Sequence, residues 1–361
     1  MSDITPARAK QLSKALAITK PSRSNGHVNV IELHADGSGL RVQIRDNYLD
    51  LFGVVTLTDA PQPVSVHQLS RDALTVWCKT LKAKDALAVT VDSFDGAVSL
   101  TRNGLVTSAL DGLIVDTRGM IDTAAITDAL TGVNVPWDEL PAVLLAAGND
   151  ETLPALTGVS IRYGDAGTAR LASTDRYRMA ITDADIMHYE NHALVPAAWL
   201  GKVTKQLGGG IMGLTGEYVV VSDAANPSWL MGARLIDAEY PRVDSLVRHD
   251  SSIRLVFDSD RLRDAVKLIA PAVPKNTPVV LDLAAGVLRT REGDVTAPMP
   301  AYEGDGDGLV IGFNPAYLVD SLAGITGSVR FDMESGNKPA IITSDSTNTM
   351  RVQMPVRMAT N

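Results

Sequence analysis

The stretch Leu171-Ala172-Ser173-Thr174-Asp175-Arg176-Tyr177-Arg178-Met179-Ala180 does most to decide the fold of this 361-residue chain. The segments 169–173 and 179–181 are each predicted to form a short strand. The polar residues 174–176 lie between them, and a turn is their structural interpretation. In isolation these three residues could also suggest a catalytic carboxylate, so this stretch alone leaves a structural and a chemical interpretation open.

Helix-like and strand-like segments extend outward from this stretch in a pattern that repeats about every 120 residues. Each repeat has two amphipathic helices and roughly six to eight short strands, which predicts three α+β domains of one architecture. We expect the domains to span 1–122, 123–247 and 248–361. The helices are predicted at 6–19, 69–81, 137–147, 197–207, 259–270 and 315–322.

The composition fits a folded protein with two or three cores, because 45% of the residues are hydrophobic and 21% are charged. Cys78 is the only cysteine, which excludes a disulfide framework and fits a reducing cytoplasm. No stretch approaches the ~18 apolar residues of a membrane span, so we expect a cytoplasmic chain without one. The net charge of -9 argues against nucleic acid unless the basic residues gather on one surface.

Basic residues recur on the outer faces of the predicted helices. Lys10 and Lys14 lie one turn apart, away from the apolar face that contains Leu12 and Leu16. Recurrence of this arrangement in several repeats favours a shared basic surface that could hold a duplex. Ordinary solvated helix faces give the same pattern, so spacing leaves both interpretations open. The candidate DNA-binding residues on helices are Lys10, Lys14, Arg71, Lys79, Lys82, Lys202, Lys205, Arg263 and Lys267.

Several other patterns have a functional and a structural interpretation, and the structural one is favoured for each. His188 and His192 have i, i+4 spacing, but no third metal ligand is apparent. The glycine-rich segment 304–308 lacks the spacing of a calcium loop. The glycines at 208–210 follow a helix, which predicts a helix end rather than a phosphate cradle. We therefore expect no metal, no cofactor and no catalytic residues, and we expect Cys78 to be packed in a core.

Seven segments, taken together and in order, carry a family resemblance: 156–159, 171–180, 195–196, 235–241, 311–322, 338–342 and 354–358. The opening stretch is similar to a signature that reads alanine-threonine-aspartate-glycine-histidine-arginine-leucine-alanine. Each segment alone is a weak signal, whereas their common order along the whole chain is specific. The chain resembles the bacterial DNA polymerase III beta sliding clamp family, least closely in its first domain.

This resemblance implies a DNA clamp fold, in which each of three similar domains places two helices on antiparallel sheets. Two chains would join head to tail in a closed ring with the helices around a central channel. Such a ring encircles duplex DNA without reading its sequence, and it is a processivity factor rather than an enzyme. The helix cations would line the channel, best at Lys14 and Lys79, with Arg23 as a loop candidate. The implied partners are duplex DNA, a replicative DNA polymerase, a clamp loader and a second copy of the chain.

The resemblance also implies a groove between the second and third domains that binds short linear peptides of the polymerase and the clamp loader. Apolar side chains would receive the anchoring residues of the peptide, and polar groups would orient it. Carried over by position, the groove residues are Leu156, Thr174, Arg176, Tyr177, Arg178, Met179, Pro241, Leu246, Asn314, Tyr317, Pro339, Met354, Pro355, Val356 and Arg357.

The chain departs from the family pattern at several positions. Arg176 replaces the signature glycine and Tyr177 replaces its histidine, so we expect a groove that is narrower or more cationic. Ser245 stands where the family often has arginine. Ala197 and Ala198 stand where basic residues are common, which weakens the case for DNA contact there. We interpret the chain as a divergent member with its own preferred partner peptide, and a phage origin is one hypothesis for the divergence.

Two other functions stay open on sequence grounds. A clamp-fold scaffold could bind a partner protein without closing a ring on DNA, and its oligomeric state would distinguish it. An enzyme such as a hydrolase would need an arrangement of side chains in a cleft, which a single sequence does not contain.

Overall fold

The structure is a computed structural model. It describes residues 2–20, 30–35, 39–45, 50–59, 65–79, 82, 85–91, 98–103, 105–110, 133–163, 168–186, 192–222, 228–243, 247, 251–306 and 308–358. The helices of these residues are α1 (Pro6–Ile18), α2 (Arg71–Lys79), α3 (Leu140–Leu145), α4 (Ala197–Leu207), α5 (Ser259–Ile269) and α6 (Pro315–Ser321). None of these helices is long and apolar enough to cross a membrane.

The strands of the first part of the chain are β1 (Ser2–Ile4), β2 (Val30–Ala35), β3 (Leu40–Arg45), β4 (Leu51–Thr58), β5 (Ser65–Gln68), β6 (Leu87–Val91), β7 (Val98–Arg102), β8 (Leu105–Leu110) and β9 (Val133–Asn134). The middle part has β10 (Gly158–Tyr163), β11 (Thr168–Thr174), β12 (Arg178–Ile186), β13 (Ala193–Pro196), β14 (Ile211–Leu214), β15 (Tyr218–Ser222) and β16 (Trp229–Arg234). The last part has β17 (Ile253–Asp258), β18 (Val279–Asp282), β19 (Val287–Arg289), β20 (Thr296–Pro298), β21 (Tyr302–Gly304), β22 (Val310–Phe313), β23 (Ser328–Met333), β24 (Ala340–Ser344) and β25 (Thr347–Gln353).

The chain groups into two compact units. Unit 1 comprises Met1–Val135, Ile186–Tyr189 and Ala198–Leu235. Unit 2 comprises Pro136–Asp185, Glu190–Ala197 and Ile236–Asn361. The three domain ranges expected from the sequence are not tested by this grouping and stay a prediction.

Unit 1 contains two antiparallel sheets. The first has the strand order β1-β6-β7-β8. In the second, strands pair in the order β5-β2-β3-β4-β16-β15-β14-β9. Helices α1 and α2 pack together, and α1 also packs on β4. Leu12 and Leu16 of α1 are buried as their helical spacing predicts.

Unit 2 has the same kind of architecture. One sheet has the order β20-β19-β18-β22, and the other runs β13-β10-β11-β12-β25-β24-β23-β17-β21. The pairing of β12 with β25 places Arg178 opposite Gln353. Leu262, Val266 and Ile269 of α5 are buried in the core of this unit, and their i, i+4, i+7 spacing places them on one helix face. The α+β class with antiparallel sheets is confirmed.

The predicted length of the third helix is wrong. The sequence pattern indicates a helix over 137–147, whereas α3 spans only Leu140–Leu145. Pro141 explains the late start, because a proline four residues into a helix would collide with the carbonyl group of Trp137. At the second position of α3 the missing N–H of Pro141 costs nothing.

Candidate functional site

The turn between β11 and β12 is closed by its own side chains. One oxygen of the Asp175 carboxylate accepts hydrogen bonds from the backbone N–H groups of Tyr177 and Arg178, both at 2.9 Å. The Thr174 hydroxyl donates to the carbonyl oxygen of Arg178 at 2.7 Å and accepts from the N–H of Arg176 at 3.1 Å. Short oxygen-bearing side chains favour turns because they satisfy the backbone in this way. The predicted turn is confirmed, and the Asp175 carboxylate is part of its construction.

Arg176 occupies the left-handed position of this turn. Its φ is +79°, in a region that glycine adopts freely and that costs other residues roughly 1–2 kcal/mol. Its side chain is exposed, and its guanidinium carbon lies 5.9 Å from the centroid of the Tyr177 ring. The residue that replaces the signature glycine therefore keeps a backbone conformation suited to glycine.

Arg178 connects the turn to helix α6. Its Nε donates to the second oxygen of Asp175 at 3.0 Å, and a terminal nitrogen donates to Asp320 at 2.5 Å. Its guanidinium carbon lies 4.2 Å from the centroid of the Tyr317 ring, within cation–π range. Burial, followed by the nearby Asp175 carboxylate, raises the pKa of Tyr317, so its hydroxyl stays protonated at neutral pH. The network fixes Tyr317 against the turn.

The start of α6 and the segment after β25 complete the site. Asn314 caps α6, because its side-chain oxygen accepts from the N–H groups of Ala316 at 3.0 Å and of Tyr317 at 3.3 Å. The Met354 N–H donates to the carbonyl oxygen of Tyr177 at 2.8 Å, and the Val356 N–H donates to that of Gly312 at 2.8 Å. These backbone bonds hold residues 354–357 beside the tyrosines.

Two cavities open on this part of unit 2, and both are lined by Tyr177 and Tyr317. The two rings lie 6.4 Å apart at an angle of 34°. The smaller cavity, of about 320 Å³, is lined by Ala147, Gly148, Asn149, Asp150, Leu153, Leu156, Asp175, Arg176, Tyr177, Arg178 and Tyr317. The larger, of about 510 Å³, is lined by Tyr177, Asn276, Thr277, Asn314, Tyr317, Met354, Pro355, Val356 and Arg357. We call these two cavities, joined at Tyr177 and Tyr317, the groove.

Most of the groove residues expected from the resemblance lie on these two cavities. They are Leu156, Arg176, Tyr177, Arg178, Asn314, Tyr317, Met354, Pro355, Val356 and Arg357. Thr174 is buried within the turn, and Met179 is packed in a core cluster with Val352. Pro241 and Pro339 do not line either cavity, and Leu246 lies outside the described residues.

Some residues of the groove were not anticipated. Asp320 could have been found, because it follows Tyr317 by one helical turn and faces the same side of α6. Leu153, which precedes the 3₁₀ turn Pro154–Thr157, and the loop residue Asn276 carry no signal in the sequence that links them to this site. They join it only through packing of segments that are distant along the chain.

Two family models match the chain, and both describe the DNA polymerase III beta subunit. The model of its central domain matches residues 133–242, and the model of its C-terminal domain matches residues 245–357. Together they cover more than half of the chain. The chain belongs to the DNA polymerase III beta subunit family. The family resemblance expected from the ordered segments is confirmed.

Individual relatives and solved structures agree with membership of the beta subunit family. The beta sliding clamp of Streptomyces coelicolor is 34% identical over 218 residues, which is 55% of this chain and 57% of that protein. The beta sliding clamp of Pseudomonas aeruginosa is 23% identical over 343 residues, 90% of this chain and 91% of that protein. The crystal structure of the Bacillus subtilis sliding clamp has a TM-score of 0.79 at 18% identity, over 99% of this chain and 100% of that one. The sequence match thus covers little more than half of the Streptomyces coelicolor protein. The structural match to the clamp fold covers 99% of this chain.

The candidate DNA-binding cations of this chain fall into two groups, those bonded to other parts of the fold and those exposed to solvent. Three are engaged within the fold: Arg71 donates to the Leu16 carbonyl, Lys202 donates to the Lys20 carbonyl at 2.6 Å, and Arg263 bonds to Asp260 and to the Leu322 carbonyl at 3.4 Å. Burial lowers the pKa of Arg71 and of Lys202. The side chains of Lys10, Lys79, Lys82, Lys205 and Lys267 are exposed, Lys14 is half-buried, and Arg23 lies outside the described residues.

The hydrogen bonds made by the side chains of Arg71 and Lys202 connect three helices of unit 1. Arg71 projects from α2 to the last turn of α1, and Lys202 projects from α4 to the residue that follows Thr19. A cation at a helix C-terminus meets unpaired carbonyl groups, so both contacts stabilise α1. The lysines on α1, α2 and α4 therefore belong to neighbouring helices.

The remaining patterns have structural explanations. Cys78 is buried, and burial raises the pKa of its thiol to about 12, as expected for a packed cysteine. Gly208 ends α4 with a φ of +73° and an N–H that donates to Thr204. His192 lies 3.0 Å from the hydroxyl of Ser160, and His188 falls outside the described residues. Among the residues with described positions, no group of three or more His, Cys, Asp or Glu side chains is arranged to hold a metal.

Proposed function

We propose that this chain is a DNA sliding clamp, a processivity factor that encircles duplex DNA and tethers a replicative polymerase to it. Two chains would close a ring head to tail, and a clamp loader and the polymerase would bind through short peptides. The proposal needs no catalytic step, and both oxygens of Asp175, the carboxylate with the strongest claim to chemistry, serve the turn and Arg178. Family membership and the clamp fold support this function.

The groove of unit 2 is the observation that carries the proposal. The larger cavity is mainly apolar, and the smaller cavity combines apolar side chains with charged ones such as Asp175, Arg176 and Arg178. Apolar sockets beside oriented polar groups are how proteins bind linear peptides with anchoring side chains. The N–H groups of Met354 and Val356 already donate to carbonyl groups of the protein. We therefore expect a peptide to bind through its anchoring side chains rather than by adding a strand. A polymerase or clamp loader would present such a segment.

Strand edges support the closure of a ring. In the described residues β8 pairs only with β7, and β20 pairs only with β19. Each edge strand contacts a helix that carries an exposed apolar side chain. Helix α2 contacts β8 and carries Val76, which is 61% exposed, and helix α5 contacts β20 and carries Leu268, which is 72% exposed. Leu105 at the start of β8 is 73% exposed. Pairing of β8 with β20 of a second copy would cover these leucines and close the ring after two chains.

The charge distribution fits a sliding contact. The net charge of -9 disfavours wrapping of DNA on the outside, whereas exposed lysines on α1, α2 and α4 provide a local positive surface. Contacts from lysines to phosphates carry no sequence information, so the ring would hold the duplex and still move along it.

The proposal is tested by retention on circular and linear DNA. We would incubate the protein with a nicked plasmid and pass the mixture through a sizing column in high salt, which screens phosphate contacts. A closed ring stays on the circle and is lost once a restriction enzyme linearises it. Equal retention on both forms, or none on either, contradicts the clamp function. The Leu268→Asp variant is the control that should not be retained.

A further inference from the structure

Arg176 lines the smaller cavity, yet the fold gains little from its side chain. Within the described part of the chain, its guanidinium forms no hydrogen bond and no ion pair, and it lies 5.9 Å from the Tyr177 ring. Its φ of +79° would suit glycine better. A strained residue whose side chain adds little packing points to a function at that position.

The carboxylates close to Arg176 already have partners. Asp175 accepts from two backbone N–H groups through one oxygen and from Arg178 through the other. Asp150 accepts from the N–H of Thr152 at 3.0 Å and from its hydroxyl at 2.7 Å, and it attracts Arg176 only through space. The five N–H donors of the Arg176 guanidinium therefore remain available at the cavity.

The remaining wall of this cavity suits an apolar anchor. Leu153 and Leu156 line one part, and the rings of Tyr177 and Tyr317 line another. A peptide that places an apolar side chain among them brings an adjacent residue close to Arg176. A guanidinium binds a carboxylate through two parallel N–H···O bonds, which is the complementary group for this position.

We propose that Arg176 is a specificity-determining residue of the groove, and that it selects peptides with an aspartate or glutamate beside their apolar anchor. This inference rests on the proposed peptide-binding function. An uncharged peptide would remove water from the guanidinium without offering it a hydrogen-bond acceptor of opposite charge. An acidic peptide would form that ion pair, so it gains the bond and avoids the cost of desolvation, and both effects favour it over the uncharged peptide.

The test uses fluorescein-labelled octapeptides with a Leu-Phe anchor in an alanine background, and a single Glu placed in turn at each flanking position. A matched set carries Gln instead. Fluorescence anisotropy would measure their dissociation constants for the wild-type protein, Arg176→Gln and Arg176→Lys. Both variants keep a side chain with a Cβ at φ +79°, so the backbone strain is matched. Gln removes the positive charge, whereas Lys keeps the charge without the planar guanidinium.

We expect at least one Glu peptide to bind the wild type about three- to tenfold more tightly than its Gln partner, as for a partly exposed ion pair. That preference should vanish in Arg176→Gln and persist in part in Arg176→Lys. A preference unchanged in Arg176→Gln, or absent from the wild type, overturns the inference. If anchored peptides bind equally with Glu or Gln and Tyr317→Ala abolishes their binding, the inference about Arg176 fails and the proposed peptide-binding function of the groove is kept. If no anchored peptide binds the wild type, both proposals fail.

Discussion

Single residues show how the turn between β11 and β12 holds a backbone that its sequence disfavours. Arg176 has a φ of +79°, and a Cβ at that value crowds the peptide group. Side-chain oxygens of Thr174 and Asp175 bond the N–H groups of all three following residues. Because these bonds fix the turn from both sides, the unfavourable conformation persists.

The left-handed backbone of Arg176 predicts that glycine at this position makes the protein more stable. We expect Arg176→Gly to raise the free energy of unfolding by about 1 kcal/mol, since glycine adopts this φ without a Cβ clash. Chemical denaturation would measure the change. Arg176→Ala is the control, because it removes the side chain and keeps the Cβ. Equal stability of the two variants would contradict the strain.

The second prediction at this scale concerns Cys78. Burial raises the pKa of its thiol to about 12, so the thiolate required for attack on disulfide reagents is scarce up to pH 9. We expect almost no reaction with Ellman's reagent in the folded protein and one equivalent after unfolding in guanidinium. Rapid labelling of the folded protein would refute a packed cysteine.

At the scale of elements, Glu139 joins the start of α3 to strand β25. Its carboxylate accepts from the Asn348 N–H at 2.8 Å and from the Thr349 hydroxyl at 2.6 Å, and the Thr347 hydroxyl donates to it as well. Burial alone would raise the pKa of Glu139, but the Thr347 and Thr349 bonds lead the interactions that hold it below its ordinary value. The ionised carboxylate is therefore the form that ties the two elements.

The prediction for this contact has a defined pH dependence. We expect Glu139→Gln to lower the free energy of unfolding by about 1 kcal/mol at pH 7. A lowered folded-state pKa stabilises the protein above the unfolded value of 4.5, and this stabilisation is lost as the pH falls through the folded value. The difference from the wild type should thus shrink below pH 4.5. Glu239→Gln, at an exposed position, should change nothing, and a pH-independent difference would refute the carboxylate's role.

Elements with strong periodicity were predictable from the sequence, and contacts between distant segments were not. Leu262 and Val266 of α5 are buried as their spacing indicates, and α4 has the predicted bounds. The length of α3 was wrong because the pattern ignored Pro141. In the groove, the family resemblance located Tyr317, whereas periodicity alone had no basis for pairing it with a turn that lies more than a hundred residues earlier.

The candidate cations illustrate the same limit. Spacing placed Arg71 on an outer helix face, but the structure directs its guanidinium to the C-terminus of α1. A sequence pattern records which face a residue occupies, and it does not record which carbonyl groups a neighbouring helix brings within reach. Lys10 and Lys79, which have no such neighbour to bond in the described residues, stay exposed as predicted.

For the whole molecule, the proposed ring would close through two strand edges. Within the described residues β8 pairs only with β7 and β20 only with β19, and an exposed leucine belongs to β8 itself (Leu105) or to the helix that contacts β20 (Leu268). The N–H and C=O groups at a strand edge can pair with those of another chain. In the proposed ring that pairing is the assembly contact.

This arrangement predicts a sharp effect of charge at Leu268. We expect Leu268→Asp to weaken dimerisation by about 100-fold, because the interface would bury an unpaired carboxylate. Sedimentation velocity over a dilution series would give the dissociation constants. Tyr163→Asp, at an exposed position of β10 in a different sheet from β8 and β20, is the matched control and should leave the dimer intact. Equal dimer strength in both variants would place the interface elsewhere.

The most direct test of the clamp assignment is light scattering coupled to small-angle X-ray scattering of the wild-type protein. A closed ring predicts a mass twice that of the chain at micromolar concentration, together with a pair-distance distribution that shows a hollow centre. A compact or elongated monomer would contradict ring closure and would leave a clamp-fold scaffold that binds a partner through its groove.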